Sequence, residues 1–351
     1  MFGTETEFVR WLQGQAPGRA PGLRLGIGDD ATLVEIRRGY ELILTTDLSI
    51  EGVHFLRHLH PPRAVGHRAL ARSLSDVAAM GGTPRYALIS LAISRRTSRA
   101  WLQEFYAGVF ALARRLGVTV VGGDTAVVPG GMLIDVAVAG EVRKAIRRSG
   151  ARPGDQLFVS GRLGLSALGL RWIQTKASAA RHVKGEWWPA LAKGKLRDAV
   201  RAHFYPEPRC ALGRFLGENG LASSLIDLSD GLSTDLTRLC EASNVGARIW
   251  AERIPVPDIP AGSKPGSLRA LDLALNGGED YELLFSVPSR KAIKIARKYK
   301  NVPLSCIGEI CRSKGIFLVL PDGKQKHLSP QGYDHFAKRN STSRRQSTKS
   351  A

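Results

Sequence analysis

The pattern of apolar and polar residues predicts strands and helices that are mixed in both halves of the chain. Strands are predicted where apolar residues alternate or form short runs, at 42–47, 86–93, 118–121, 132–142, 156–160, 223–228, 247–250, 281–287, 303–310 and 316–320. Helices are predicted where apolar residues recur every three or four positions, at 3–13, 62–80, 98–116, 164–173, 208–219, 231–243 and 289–300. Such a mixture predicts an α/β (α+β) protein.

The length and the punctuation of the chain predict two domains. The chain has 351 residues, whereas an average domain has roughly 150. The polar, Gly/Pro-containing segment 147–155 predicts the boundary. Residues 174–205, which include Trp187 and Trp188, are predicted to be a variable surface insertion. The predicted parts are an N-terminal domain (1–146), a C-terminal α/β domain (147–338) and a basic, disordered tail (339–351).

The charge of the chain is strongly positive but unevenly placed. Lys and Arg number 51 against 31 Asp and Glu, for a formal net charge of +20. Residues 287–351 hold 15 of these bases and three acids, a net +12. A basic surface suggests nucleic acid as a partner. For the basic C-terminus, however, a solvated helix face followed by a flexible tail is the favoured interpretation. Nucleic-acid binding by the basic C-terminus therefore stays as the disfavoured alternative.

Cysteine usage and the N-terminus indicate a cytoplasmic protein with no membrane attachment. The four cysteines form no C-x-x-C pair, so neither a disulfide framework nor a zinc site is predicted. The N-terminus carries acids where a signal peptide has bases, and it lacks an apolar core segment. No run approaches the roughly 20 apolar residues that span a bilayer.

The acids, unlike the bases, occur in a repeated context beside Gly, Ser or Thr at the ends of apolar runs. The motifs are G-I-G-D-D, T-T-D, L-S-D, G-G-D-T, I-D-L-S-D-G-L and G-G-E-D-Y. Converging carboxylates repel one another unless a cation lies among them, and hard oxygen ligands favour Mg²⁺ or Mn²⁺. Taken singly, each motif is more often a turn or cap: Asp230 can cap the helix at 231, and Asp280 is the best candidate for a structural acid. Six together favour a Mg²⁺-dependent enzyme that handles phosphate.

Common nucleotide-binding signatures do not account for these acids. G-I-G-D-D-A fits the dinucleotide pattern G-x-G-x-x-A. We reject that interpretation because two carboxylates would face the pyrophosphate and the following T-L-V-E-I is a strand pattern. The chain has no G-x-x-x-x-G-K-[ST] loop and no H-R-D or D-F-G set.

The motifs together resemble the thiamine-monophosphate kinases, in the superfamily of aminoimidazole ribonucleotide synthetase and selenophosphate synthetase. The resemblance runs from about residue 3 to Lys338, and E-G-V-H-F and G-Y-D-H-F set the kinases apart from their superfamily relatives. It implies ATP-dependent phosphorylation of thiamine monophosphate to thiamine diphosphate by direct in-line transfer, with several Mg²⁺ ions. It also implies a homodimer whose N-terminal strands pair across the two-fold axis. Another superfamily reaction, such as ring closure of formylglycinamidine ribonucleotide, is the alternative; it fits the acids but not His54 with Tyr333.

The resemblance also implies roles for residues at matching positions. Those at magnesium positions are Asp30, Thr45, Thr46, Asp47, Asp76, Asp124, Asp227 and Asp230. Those at ATP-contact positions are Gly123, Asp124, Arg148 and Ser229. His54, Glu279 and Tyr333 fall where relatives contact thiamine monophosphate, whose thiazolium is cationic. No residue is implied as a covalent nucleophile or general base, because the attacking phosphate oxygen is already ionised.

Overall fold

The N-terminal half is a four-stranded sheet with helices on one face. The computed structural model describes residues 2, 4–16, 20–27, 31–175, 188–259 and 270–333. Its N-terminal elements are α1 (Glu5–Gln15), β1 (Leu23–Leu25), β2 (Leu33–Val34), β3 (Glu41–Ile50), α2 (Pro62–Ala79), β4 (Thr83–Ser94), α3 (Arg99–Leu116), β5 (Thr119–Val128) and β6 (Met132–Val142). The strand order is β3-β6-β4-β5, with only β4 and β5 parallel, and β1 and β2 form a separate pair.

The C-terminal half is built on a larger sheet with the order β14-β13-β9-β12-β7-β10-β8. Its strands are β7 (Gln156–Ser160), β8 (Ser224–Leu228), β9 (Gly246–Trp250), β10 (Glu282–Val287), β11 (Lys298–Tyr299), β12 (Val302–Cys311), β13 (Ile316–Val319) and β14 (Gln325–His327). Its helices are α4 (Leu165–Thr175), α5 (Trp188–Leu191), α6 (Gly194–Phe204), α7 (Cys210–Glu218), α8 (Leu232–Ser243), α9 (Ala270–Asn276) and α10 (Ser289–Ala292). The predicted α/β (α+β) class is confirmed.

Helix α2 lies between the two halves and is buried on most of its surface. Of its 18 residues, 14 are buried. It contacts α3, β3 and β6 on one side and α7 and β8 on the other. Gly66 and Gly108 let α2 and α3 approach closely, because a Cβ at Gly66 would lie 2.0 Å from the Phe105 carbonyl oxygen. One apolar cluster contains Val136 of the N-terminal sheet and Phe285 of the C-terminal sheet, so the halves share a core around α2.

Most predicted elements are confirmed to within a few residues, but three expectations are wrong. Segment 289–300 is helical only over Ser289–Ala292 and then turns into β11. Strand β5 continues to Val128, so Asp124 lies within a strand rather than after one. The described parts of 174–205 are not a surface insertion, because Trp188 and Phe204 are buried in an apolar cluster with Leu59. Trp187 and the tail from residue 339 lie outside the described residues. The domain boundary at 146/147 stays a prediction.

Candidate functional site

One face of α2 carries the charged side chains around which the site is arranged. Arg68, Arg72 and Asp76 follow one another at four-residue spacing, which places them one above the other on the same face of a helix. This face is opposed by the inner side chains of β3 and by two C-terminal loops. The helix therefore links the motifs of the two halves.

Three carboxylates from three different motifs form an acidic cluster at one end of this face, with Asp227 buried and Asp47 and Asp76 half-buried. They are Asp47 of β3, Asp76 of α2 and Asp227 of β8. Thr45 Oγ1 donates to Asp76, and Ser75 Oγ donates to Asp227 over 2.7 Å. Burial raises the pKa of Asp227 to about 8, and repulsion by Asp76 adds to the shift. Burial likewise raises the pKa of Asp47 to about 6, against the attraction of Arg72. The folded chain thus brings negative charges together where they are poorly solvated.

Asp230, at the next strand–helix turn, does not cap the helix that follows it. The backbone N–H groups of Asp230 and Gly231 donate instead to Asp235 Oδ2, over 2.9 and 3.1 Å. The Asp230 carboxylate pairs with Arg238, which also contacts Asp235 over 2.8 Å. Since Asp235 does the capping, the Asp230 side chain is not needed for the cap and pairs with Arg238 instead.

The two C-terminal acidic loops are joined directly to each other. The N–H of Glu279 donates to the Ser229 carbonyl over 2.7 Å, and that of Tyr281 donates to the Leu228 carbonyl over 2.9 Å. Glu279 and Tyr281 have φ values of 66° and 51°, in the left-handed region that non-glycine residues seldom adopt. Such strain concentrates at functional loops. Asp280, between them, accepts from the Gly164 and Ser166 N–H groups at the start of α4, so it is structural, as predicted.

Glu279 is held by a buried basic network. Arg68 Nη2 donates to Glu279 Oε1 over 2.6 Å, and Arg68 Nη1 donates to the His203 carbonyl. His203 also hydrogen-bonds to His60, with 3.1 Å between the two Nε2 atoms. Burial lowers the pKa of both histidines, that of His60 to about 3, so they are neutral. Burial opposes ionisation of Glu279, but Arg68 and Arg72 together outweigh it and keep the pKa below its ordinary value. Glu279 is therefore a fixed negative charge.

The other two residues implied to contact thiamine monophosphate lie at the edges of this region. His54 Nδ1 accepts from the Ile50 N–H over 3.0 Å, and the His54 carbonyl lies 3.5 Å from Arg68 Nη2. The Tyr333 N–H donates to the Asp230 carbonyl over 3.3 Å, and the residue is 39% exposed. The structure thus holds His54 beside Arg68 and Tyr333 beside Asp230.

Three of the predicted metal and ATP residues, Thr46, Gly123 and Asp124, lie at the opposite face of the N-terminal sheet. Because strand side chains alternate, Thr46 points away from Thr45 and Asp47, and its hydroxyl donates to Asp135. Thr46, Gly123 and Asp124 line a groove of about 1330 Å³ that is also lined by Phe8 and Leu12 of α1. Gly123 has a φ of 149°, and a Cβ there would lie 1.9 Å from the Ile89 carbonyl oxygen, so only glycine fits.

Three further predicted residues need separate placement. Arg148 lies where its positive charge acts on Asp76, and its carbonyl accepts from Ser243 Oγ over 2.6 Å. Ser229 supplies the carbonyl that binds the Glu279 N–H. Asp30 lies outside the described residues. The predicted set is therefore divided between an inner acidic cluster and an outer groove, on the two sides of β3.

The sequence interpretation missed several residues that complete the site. They are Arg68, Arg72, Asp135, His203, Asp235, Arg238 and Tyr281. The spacing of Arg68, Arg72 and Asp76 on one helix face was a usable signal, as was the single acid in the apolar strand M-L-I-D-V-A-V. His203 carries no such signal, because it comes from α6, in the segment predicted to be a surface insertion.

The acidic cluster has the donor chemistry that Mg²⁺ requires. Its donors are carboxylate and hydroxyl oxygens, and a cation would offset both the burial that mainly raises the pKa values of Asp47 and Asp227 and the repulsion that adds to it. Within the described ranges, however, no three His, Cys, Asp or Glu side chains already form a group that would hold a metal ion. Arg72 and Arg238 instead approach Asp47 and Asp230. The residues present fit the ion when the carboxylates of Asp47 and Asp230 turn from these arginines toward it.

Comparison with known proteins gives the same result for both halves of the chain. Residues 28–142 match the family model described as AIR synthase related protein, N-terminal domain, and residues 152–321 match that of the C-terminal domain. The chain is 36% identical over 317 residues to a thiamine-monophosphate kinase of Escherichia coli (strain K12), covering 90% of this chain and 93% of that protein.

Solved structures agree with the sequence comparison. A thiamine-monophosphate kinase from Stenotrophomonas maltophilia K279a superposes with a TM-score of 0.75 at 33% identity, over 91% of this chain and 96% of that one. AaThiL complexed with AMPPCP and TMP superposes with a TM-score of 0.71 at 30% identity, over 95% of this chain and 97% of that one. The similarity therefore extends over nearly the whole of each protein.

Proposed function

The chain belongs to the thiamine-monophosphate kinase family of AIR synthase related proteins, and we infer that it transfers the γ-phosphoryl group of ATP to thiamine monophosphate. The product is thiamine diphosphate. Curated relatives carry this name, and one related structure holds AMPPCP and TMP. The single observation in this structure that carries the inference is the convergence of Asp47, Asp76 and Asp227 across the junction of the two halves, with Arg72 close to both Asp47 and Glu279.

The acidic cluster supplies the place where phosphates are neutralised. We assign Mg²⁺ to Asp47, Asp76, Asp227 and Asp230, with Thr45 beside them; Asp30 is assigned by resemblance alone. When bound, Mg²⁺ offsets the negative charge of two phosphate-bearing substrates and orients them. Transfer between phosphates needs positioning and charge neutralisation more than covalent help. No side chain is required as general base, because the acceptor oxygen is already ionised, and transfer is direct and in line.

The substrates occupy different sides of this cluster. Glu279 carries a fixed negative charge at the loop junction, which complements the cationic thiazolium ring of thiamine monophosphate. His54 and Tyr333 flank the same region, and we assign them to contact with thiamine monophosphate. We assign ATP to the groove lined by Thr46, Gly123 and Asp124, with Arg148 and Ser229 on the C-terminal side.

We also propose a homodimer formed through the outer face of the N-terminal sheet. Four large apolar side chains on the outer face of the N-terminal sheet are exposed: Leu42, Leu44, Leu48 and Leu88. Exposed apolar side chains grouped on one sheet face are typical of an interaction surface. Pairing through it would close the groove at Thr46 and Asp124 with a second copy of the chain.

Two further assignments, the cellular compartment and the binding of nucleic acid, do not affect the proposed chemistry. The described part of the chain has no helix that is long and apolar enough to cross a membrane. All four cysteines are free thiols, which fits the cytoplasm, where thiols stay reduced. Within the described ranges nothing places a nucleic acid near the site, and we retain that binding only as an accessory property of the basic C-terminus.

A direct assay tests the proposed function. The purified chain with thiamine monophosphate, ATP and Mg²⁺ is expected to form thiamine diphosphate and ADP in equal amounts, measured by chromatography. Thiamine in place of thiamine monophosphate is expected to give no diphosphate, because it lacks the acceptor phosphate. Absence of turnover at high enzyme concentration would reject the function.

The pKa shifts predict how Mg²⁺ binding depends on pH. The folded-state pKa values of Asp47, about 6, and Asp227, about 8, exceed the ordinary value of 3.8. Protonation of these groups therefore stabilises the fold below about pH 4, and this stabilisation is lost as pH rises through about 6 and 8. Since Mg²⁺ competes with these protons, its affinity is expected to rise about tenfold or more between these pH values.

Thermal unfolding with and without Mg²⁺ checks this prediction. The increase in Tm caused by one fixed Mg²⁺ concentration is expected to be larger near pH 8 than near pH 6. Asp227→Asn serves as the comparison, because it removes the group with the highest shifted pKa and should flatten the pH dependence. An equal increase at both pH values in the unmodified protein would contradict the assignment of Mg²⁺ to this cluster.

A further inference from the structure

Arg72 lies at the centre of the charged face of α2, between its basic and acidic ends. Arg68, one turn earlier, binds Glu279 on the thiazolium side. Asp76, one turn later, belongs to the acidic cluster. The side chain of Arg72 is only 14% exposed. It is therefore a buried cation at the junction of the two substrate regions.

The hydrogen-bonding capacity of Arg72 is largely unused by the described residues. A guanidinium has five N–H donors. Arg72 Nη2 lies 3.4 Å from Asp47 Oδ1, longer than the 2.7–2.9 Å typical of a charge-assisted hydrogen bond. Arg72 Nε is fully buried and has no partner among the described residues. A buried donor without an acceptor is costly, so this group is placed to meet an acceptor that the chain itself does not provide.

A small cavity beside Arg72 has the size and lining for such an acceptor. Its volume is about 10 Å³, close to the space of a single water-sized oxygen. It is lined by Ser49, His54, Phe55, Val65, Arg68 and Arg72. Arg68 already binds Glu279 and the His203 carbonyl, whereas Arg72 has donors to spare. The lining suits one oxygen atom of an anion.

We propose that Arg72 binds the acceptor phosphate of thiamine monophosphate and thereby selects the phosphorylated substrate over thiamine. This inference rests on the proposed function. With the thiazolium ring near Glu279, the phosphate at the other end of the substrate lies toward the acidic cluster, and Arg72 is the cation between them. A guanidinium binds phosphate through two parallel N–H groups. It would hold the attacking oxygen in place and offset its charge, so Arg72 is a substrate-binding residue.

A competing explanation is that Arg72 serves only as the counter-ion of Asp47. The two explanations differ in which ligand loses affinity. If Arg72 only supports Asp47, its removal should weaken Mg²⁺ and ATP and leave the preference for thiamine monophosphate over thiamine unchanged. If Arg72 binds the acceptor phosphate, the affinity for thiamine monophosphate should fall while that for thiamine and the KM for ATP stay the same.

The experiment compares Arg72→Met and Arg72→Lys with the unmodified protein. Calorimetry gives the Kd of thiamine monophosphate and of thiamine, and steady-state kinetics give the KM of each substrate. Arg72→Met is expected to weaken thiamine monophosphate about 10- to 100-fold, the range for hydrogen bonds to a charged group. In Arg72→Met, the ratio of the Kd for thiamine to the Kd for thiamine monophosphate should approach one. Arg72→Lys, which keeps the charge without the planar fork, should restore part of the difference.

Arg248→Met is the matched control, because it removes an arginine from an exposed ion pair with Glu309 on the C-terminal sheet. It should leave every Kd and KM unchanged.

Unchanged affinity for thiamine monophosphate in both Arg72 variants would overturn the inference, as would an equal loss of affinity for thiamine. If Arg72→Met fails to fold, Arg72→Lys decides alone, since unaltered discrimination there would exclude a bidentate contact. Failure of the unmodified protein to turn over would reject the proposed function, and the two Kd values would still test Arg72.

Discussion

Asp47→Asn is expected to lower kcat for thiamine monophosphate phosphorylation by about 10²- to 10³-fold, because loss of one metal-binding charge removes several kcal/mol of transition-state stabilisation. Asn has the same shape but cannot ionise. The variant should stay folded, since the native carboxylate is buried and repelled by Asp76. Its folded pKa of about 6 means that ionisation opposes folding above that pH. Near pH 8 the variant should therefore unfold at the same or a higher Tm without Mg²⁺.

Asp258→Asn is the control for this prediction. Asp258 pairs with Arg162 over 2.9 Å and with Lys195 over 3.1 Å at an exposed position. Exposed ion pairs contribute little to stability, so kcat should not change. A near-native rate in Asp47→Asn would show that the metal assignment is wrong. A low rate accompanied by a lower Tm would show that Asp47 supports the fold rather than the ion.

Strands and helices with strong periodicity were predictable because their packing follows directly from the residue pattern. β6 (Met132–Val142) and β7 (Gln156–Ser160) have the predicted bounds. The predicted helix at 289–300 shows where this reasoning stops. Its six bases have no acid one turn away to pair with, and Tyr299 instead stacks on Phe215 with 4.7 Å between ring centroids. That tertiary contact is invisible in the local pattern.

The site was predictable in composition but not in arrangement. The carboxylate motifs and the resemblance singled out Asp47, Asp76 and Asp227, which the structure brings near one another, while their role as metal ligands stays a proposal. The strand predicted at 42–47 was enough to place Thr46 on the face opposite Thr45 and Asp47, because side chains alternate along a strand. The contribution of His203 was not predictable, because contact between α6 and α2 depends on how the whole C-terminal half folds around Phe204. Residues that act through long-range contacts leave no mark in a local motif.

Leu44→Arg is expected to separate the proposed homodimer into monomers. Leu44 is 72% exposed on the outer face of the N-terminal sheet, near Leu42, Leu48 and Leu88. If a second copy covers this face, a charge there would be buried without a partner. Such a charge costs several kcal/mol, so the dimer Kd should rise at least about 10³-fold. Sedimentation velocity over a range of concentrations measures this change.

The consequence for catalysis separates a functional dimer from an incidental one. The groove assigned to ATP opens on the same sheet face and is lined by Thr46, Asp124 and Leu44 itself, so Leu44→Arg should raise the KM for ATP more than that for thiamine monophosphate, and loss of the second copy is read from the sedimentation measurement. Ile293→Arg is the matched control, because Ile293 is 92% exposed on the C-terminal half, away from this face. It should remain dimeric and fully active. A Leu44→Arg protein that stays dimeric would place the interface elsewhere, whereas a fully active monomer would show that one chain alone completes the ATP site.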